Sequence, residues 1–357
     1  KAGSSVVGAA ACIALIRLQT REKPPEEQPS WEDSAGTERH ERPEGRILDH
    51  THHHLNAAEA GIGDEAARDR DRRGVQRWIG ETQLVADDLE HRLGRIATFM
   101  VIQCLATGDY DEAVRFGQEA LSIARTLGDR SIEVVATSFL GQTHAARGEF
   151  SDAATLLERN VALEGDLRYE RFGAPAIQSA LSGAYLADVL SQLGRFDEAI
   201  GHAEAAVQIA EAADHPFTLY LGLLSLGLAH LRRGDLPRAT RALERGLDLC
   251  RTWQIVVGTP VVAATLGAAY ALAGRADEAL PLVAGAVEEF RRRQDHTWPA
   301  LILLCAGMTY LSAGRIDEAA SHAREALALT RRLGARGSEA HALCLAGDVA
   351  SSSGAED

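Results

Sequence analysis

Arg168, Tyr169, Arg171 and Phe172 set two guanidiniums and two aromatic rings within five positions. A fork of N–H donors beside ring faces can clamp a carboxylate or a phosphate while an apolar group stacks alongside. Glu164, Asp166 and Glu170 flank the same stretch, so the arginines can equally pair with these acids in a solvated turn. His215 is a second candidate contact, in the run Asp214-His215-Pro216-Phe217; the alternative there is a turn in which Pro216 starts a helix. His50, His52, His53 and His54 form the densest histidine cluster. Imidazoles bind divalent metals, but consecutive histidines cannot all face one tetrahedral centre, and no metal site is expected.

Chemistry beyond binding is not assembled. A phosphate-binding loop needs a Gly-rich run ending in Lys, and the only lysines, Lys1 and Lys23, follow no such run. No nucleophile has a base and an orienting group at a readable spacing, so neither an enzyme nor a cofactor is expected. Cys12, Cys104, Cys250, Cys305 and Cys344 contain no Cys-x-x-Cys pair. Cys104, Cys305 and Cys344 fall on apolar helix faces, which predicts buried, reduced thiols and fits a reducing cytoplasm.

The elements that must position these residues are punctuated by glycine. Gly108, Gly148, Gly194, Gly234, Gly274 and Gly314 are spaced 40, 46, 40, 40 and 40 residues apart. A fixed period in a helical pattern is the mark of an α-solenoid built from two-helix repeats. Three residues after each glycine stand Asp111, Ser151, Asp197, Pro237, Asp277 and Asp317, all suited to a helix start. Next come acids in every unit except at Arg238, then Ala113, Ala153, Ala199, Ala239, Ala279 and Ala319. A second small residue recurs at Ala120, Ala206, Ala286 and Ala326, whereas Asn160 and Gly246 depart from the pattern. Ala279, Leu282, Val283, Ala286, Val287 and Phe290 show the helical spacing of one apolar face. The first helices carry Gly141, Ala187, Gly227, Gly267 and Gly307. Glycine inside a helix costs about 1 kcal/mol relative to Ala, so its recurrence predicts close helix contact.

Gly194, Phe196, Ala199 and Ala206, with Tyr270 or Tyr310 as the first-helix aromatic, resemble the tetratricopeptide repeat. The resemblance implies an all-α solenoid, a right-handed superhelix of about six to seven two-helix repeats, here with a longer period than the usual one of about 34 residues. From about His91 to Gly347 the chain also resembles the region after the ATPase module in bacterial class III adenylate/guanylate cyclase-like proteins and LuxR-type ATP-dependent regulators. Leu156–Val161, Leu163–Arg168, Glu170–Gly173, Ala213–Pro216 and Leu243–Leu247 with Cys250 and Arg251 carry this likeness. It implies a non-catalytic region whose concave groove, lined by first helices, takes a peptide, a protein segment or a small effector and regulates an adjoining ATPase or cyclase. A free-standing adaptor is the alternative. The 46-residue interval carries 46 − 40 = 6 extra residues, placed around Gly165 to Pro175, which makes Arg168, Tyr169, Arg171 and Phe172 a loop. Trp253, Trp298 and Tyr310 read as packing residues, with a place on the groove wall as the alternative for any one of them.

With 37 basic and 51 acidic side chains the net charge is −14, which argues against nucleic acid or an anionic membrane as partner. Val6 to Ile16 is an apolar run of eleven residues, short of the roughly 20 that span a bilayer; it reads as a leader core or as a stray segment. The proline-rich charged stretch from Glu22 to Gly45 reads as a linker. The expected organisation is an irregular segment over 1–48, a degenerate helical cap over 49–89 built on Trp78, Ile79, Leu84, Val85 and Leu89, and repeats over 90–357. Gly347 and Gly354 continue the period and Asp357 falls at a helix start, which predicts a repeat cut before its second helix.

Overall fold

In the computed structural model, which describes residues 88–293 and 298–353, each punctuating glycine closes one helix and opens the next. All six adopt φ between +73° and +86°, and the N–H after each returns to the carbonyl five residues earlier, as in Arg195 N to Leu190 O at 2.9 Å and Arg275 N to Tyr270 O at 2.8 Å. This is the Schellman closure, in which a left-handed residue satisfies the last carbonyls of a helix.

Helix α1 covers residues 88–107. It is followed by α2 (Tyr110–Leu127), α3 (Arg130–Ala146), α4 (Phe150–Val161), a 3-10 turn (Gly165–Tyr169), α5 (Gln178–Gln192), α6 (Phe196–Ala212), α7 (Pro216–Arg233), α8 (Leu236–Thr252), α9 (Thr259–Leu272), α10 (Ala276–Arg293), α11 (Pro299–Ser312), α12 (Ile316–Leu333) and α13 (Arg336–Ser352). Among the described residues there is no strand. The helices pair as α1/α2 through α11/α12, with α13 as a further first helix. First helices pack against the first helices of neighbouring units as well as against their own partners. In consequence α9 is apolar all round, buried from Pro260 to Ala269, whereas α8 keeps one wet face and buries Ala239, Ala242, Leu243, Gly246, Leu247 and Cys250 on the other.

The repeated first-helix glycines are holes for particular knobs. A Cβ added at Gly141 would lie 2.7 Å from Leu157, one at Gly227 would lie 2.5 Å from Leu243, and one at Gly267 would overlap Val283. Each knob stands sixteen residues on in the second helix of the same unit (141 to 157, 227 to 243, 267 to 283). Where that second-helix residue is small, as at Ala203, the first helix carries Ala187 instead. Gly307 faces the small Ala323 by this rule, and its hole is filled from the next unit by Leu345 of α13.

The extra residues lie where expected: α4 stops at Val161, and the chain runs without α-helix from Ala162 to Ile177 apart from the 3-10 turn. Two expectations change. Cys344 is exposed, unlike Cys104, Cys250 and Cys305, because no described helix covers the outer face of α13. Trp253 is 58% exposed and packs little. Asn160 has a reason to depart from alanine: its Nδ2, buried, donates to Val134 O at 2.9 Å and to Ser182 Oγ at 3.2 Å. Ser138 Oγ and Ser182 Oγ lie 2.7 Å apart, so one amide links α3, α4 and α5 through a satisfied polar network.

The superhelix returns on itself within Leu89–Asp357. A Cβ at Gly108 would lie 2.6 Å from Leu333, one at Gly148 would lie 3.3 Å from Gly337 N, and one at Gly337 would lie 3.1 Å from the Phe150 ring. The α12–α13 turn therefore sits on the α1–α2 and α3–α4 turns. The segment 1–48, the cap as far as residue 87, Val6–Ile16, Cys12, the His50–His54 cluster and Gly354–Asp357 lie outside the described residues.

Candidate functional site

The return of the superhelix brings polar side chains together from helices distant in sequence. Tyr185, Asp188 and Gln192 lie one turn apart along α5; Leu221, Leu224, Ser225, Leu228 and Arg232 form the matching stripe of α7. Asp188 Oδ1 accepts from Arg232 Nη1 at 2.6 Å, with the side chains 25% and 22% exposed. His341, reaching in from α13, lies 2.7 Å from Gln192 Oε1 through Nε2. His341 is exposed, with Gln192 of α5 in contact and Arg232 of α7 near enough to act on its charge. Burial lowers its pKa, and Arg232 lowers it further against the opposing pull of Asp188. A neutral imidazole, a carboxylate, a guanidinium and an amide thus share one wall.

Above them the Tyr185 ring stacks on Trp298, with centroids 5.4 Å apart and planes 12° from parallel. Trp298 precedes Pro299 at the start of α11 and closes the cleft between α5 and α7, leaving about 10 Å³, the lower limit for a single water. Trp298, read as a packing residue with the groove as the alternative, packs on Tyr185 and lines this cleft. No local spacing ties Tyr185 to Trp298 or Gln192 to His341; the superhelical turn brings them together, which is why the sequence did not mark them.

The residues singled out from sequence lie along one edge of the solenoid, in the connections between units. Arg168 and Arg171 are exposed, and neither forms an ion pair with Glu164, Asp166 or Glu170. Arg171 to Ala174 make a tight turn closed by Ala174 N to Arg171 O at 3.0 Å. Phe172 at φ +52° and Gly173 at φ +78° occupy its centre, the pattern of a type I′ turn. Tyr169 is 46% exposed. His215 caps α7: its Nδ1 accepts from Thr218 N at 3.2 Å and pairs with Thr218 Oγ1 at 2.8 Å, while Thr218 Oγ1 accepts from Ile177 N at 3.0 Å. Burial and then Arg171 lower the His215 pKa, so the two candidate stretches are within electrostatic reach of each other.

Two other features gather polar groups. A cleft of about 520 Å³ opens between α10 and α12 beside Tyr310 and His322, but its ion pairs, Arg291 with Glu325 and Arg292 with Glu289, are more exposed than the Arg232–Asp188 pair and so weaker in water. His144, Glu149 and Asp152 bring ligand atoms within 4.8 Å of one another, yet Glu149 also accepts from Arg147 Nε at 2.9 Å, which neutralises the carboxylate a cation would need. Repeated Arg–Glu forks at the second-helix starts, such as Arg275 with Glu278 at 2.8 Å, are exposed and add little stability. Arg275 also lies 3.8 Å over the Tyr270 ring, which gives the first-helix aromatic a partner.

The tetratricopeptide repeat model matches residues 93–163, 177–252 and 260–332, more than half of the chain, and the chain belongs to that family. It is 25% identical over 254 residues to the 43 kDa receptor-associated protein of the synapse from Tetronarce californica, covering 69% of this chain and 60% of that protein. Among solved structures it resembles a Rap protein complexed with Competence and Sporulation Factor, with TM-score 0.52, 10% identity, and 73% and 76% of the two chains covered. The Rap conjugation gene regulator of the plasmid pLS20 in complex with the Phr* peptide gives TM-score 0.51, 12% identity and coverage of 86% and 82%. At these identities the structural likeness establishes the fold. Among the described residues no helix is long and apolar enough to cross a membrane.

Proposed function

We propose that this chain is a non-catalytic scaffold that holds a peptide, or an extended segment of a protein partner, against its inner wall. The observation that carries this is the convergence of Asp188, Arg232, Gln192 and His341 from three separate first helices. A part-buried Arg–carboxylate pair offers both a donor fork and an acceptor to a ligand's charged groups, and the flanking apolar stripe offers area. The two solved structures above add support, since one of them holds the Phr* peptide. The edge residues Arg168, Tyr169, Arg171 and Phe172, with His215 nearby, supply a second contact, suited to a terminal or side-chain carboxylate. A small effector on the same wall is the variant of this reading for a non-peptide ligand.

Selection of displayed random peptides on the full chain tests it. Binders should lose affinity for Arg232→Ala, by about tenfold or more if a charge-assisted bond is removed, and lose less for Arg171→Ala, with both variants still helical. Selection of no binder, or binders indifferent to both substitutions, would overturn the proposal.

The reading that occupancy regulates an attached ATPase or nucleotide cyclase rests on the resemblance of Leu156–Val161, Leu163–Arg168 and Leu243–Leu247 to signalling regulators rather than on the inner wall; a free-standing adaptor is the alternative. Nucleotide turnover by a polypeptide carrying this region, raised or lowered by a selected peptide, favours regulation. Stoichiometric binding of a partner without any such module favours the adaptor.

A further inference from the structure

We propose that the cleft between α5 and α7 is a subsite for an aromatic side chain of the ligand and that Trp298 occupies it as an internal substitute. The inference rests on the peptide-binding reading of the same wall and specifies the ligand it takes. Tyr185, Leu221, Leu224 and Leu228 make an apolar slot with Asp188 and Ser225 at its edge. The indole in that slot comes from 113 positions away (185 to 298). Stacked rings this close to parallel are a preferred aromatic arrangement, so the slot is shaped for a planar group.

Three features make the occupant replaceable. Trp298 is half-buried rather than enclosed. Its backbone stands at φ +59°, a left-handed conformation that residues with a side chain adopt only when the surroundings impose it. Among the described residues no hydrogen bond ties down its indole N–H. Among the described residues its side chain is held by stacking and apolar contact, and an aromatic side chain from a ligand replaces both in kind. An arriving ring therefore competes with Trp298 for the Tyr185 face, while the ligand's polar groups meet Asp188, Arg232 and His341 below. The apparent affinity of the resting chain is reduced by the fraction of molecules in which the slot is filled.

The test uses N-acetyl-L-tryptophanamide, with N-acetyl-L-leucinamide as the aliphatic control, titrated calorimetrically into the full chain and into Trp298→Ala. The variant is expected to bind the indole compound about tenfold more tightly than the native chain, the factor that loss of one competing ring stack gives, and to prefer it over the leucine compound. Equal affinity for native chain and variant, or no preference for the ring, overturns the proposal. Should Trp298→Ala lose its helical circular dichroism, the native chain labelled with 5-fluorotryptophan decides. The Trp298 resonance, assigned through Trp298→Phe, must move as the indole compound saturates; an unmoved resonance at saturation overturns the proposal. Peptide selection with Arg232 dependence but no ring preference retains the function and removes the subsite. Ring binding with no selectable peptide does the reverse.

Discussion

Gly227 in α7 is the sharpest place to test the packing. Replacing it with Ala puts a methyl 2.5 Å from Leu243 Cγ and 2.6 Å from Leu243 Cδ2, where carbon atoms settle at about 3.5–4.0 Å. Leu243 is fully buried in the core, so it cannot swing clear and α7 must move from α8. Overpacking of this kind costs about 1–3 kcal/mol, while the gain in helix propensity returns about 1 kcal/mol. Gly285 is the control: it lies within α10, exposed, with nothing within 4 Å of an added Cβ, so Gly285→Ala should stabilise by about 1 kcal/mol. The difference between the two variants cancels propensity and leaves overpacking, about 1–3 kcal/mol. Because a solenoid's stability is a sum of unit and interface terms, urea midpoints should be accompanied by amide exchange resolved to α7 and α8. Leu243→Ala placed on Gly227→Ala should relieve part of the cost, with a coupling of about 0.5–3 kcal/mol. If Gly227→Ala stabilises as much as Gly285→Ala does, the hole-and-knob account is wrong.

Asn160→Ala installs the residue that other units carry at this position, yet it should cost about 1–3 kcal/mol by breaking the buried network with Val134, Ser138 and Ser182, read as a lowered melting temperature. Burial lowers the pKa of His202, His215, His230, His322 and His341. The unfolded chain therefore takes up protons first as pH falls below about 6.5. The melting temperature should fall between pH 7 and pH 5, before the lowered carboxylates of Glu112, Glu198, Glu278 and Glu318 begin to protonate; a flat profile over that interval contradicts the burial. Iodoacetamide should modify Cys344 well before Cys250 or Cys305, whose thiols burial pushes up to about 12 and about 11, as peptide mapping of a time course will show.

The fold was legible because the repeat writes the same local chemistry many times. Gly194, Asp197 and Glu198 specify a helix end and the start of the next helix without reference to the rest of the chain, and Ala199 and Ala206 specify the packed face. Even the knobs can be read in retrospect, since Leu157, Leu243 and Val283 stand at a fixed distance from glycines and Ala203 from an alanine. The inner wall was not legible. Asp188 and Arg232 look like surface charges on amphipathic helices, and Tyr185 and Trp298 like ordinary core aromatics; their meeting depends on the curvature summed over several units. Sequence reasoning instead chose Arg168 to Phe172, where composition is unusual, and that stretch lies on the edge of the solenoid. Asn160 was visible as a break in the alanine pattern, but its partners on α3 and α5 were not.

The claim that ligands bind inside the superhelix is tested most directly by amide hydrogen exchange of the full chain with and without a selected peptide. Protection should appear on α5, α7 and α13, around Asp188, Arg232 and His341, and leave the outward helices α6, α8 and α10 unchanged. Protection confined to those outer helices, with the inner wall exchanging as before, would place the ligand on the wrong side of the molecule and contradict the account.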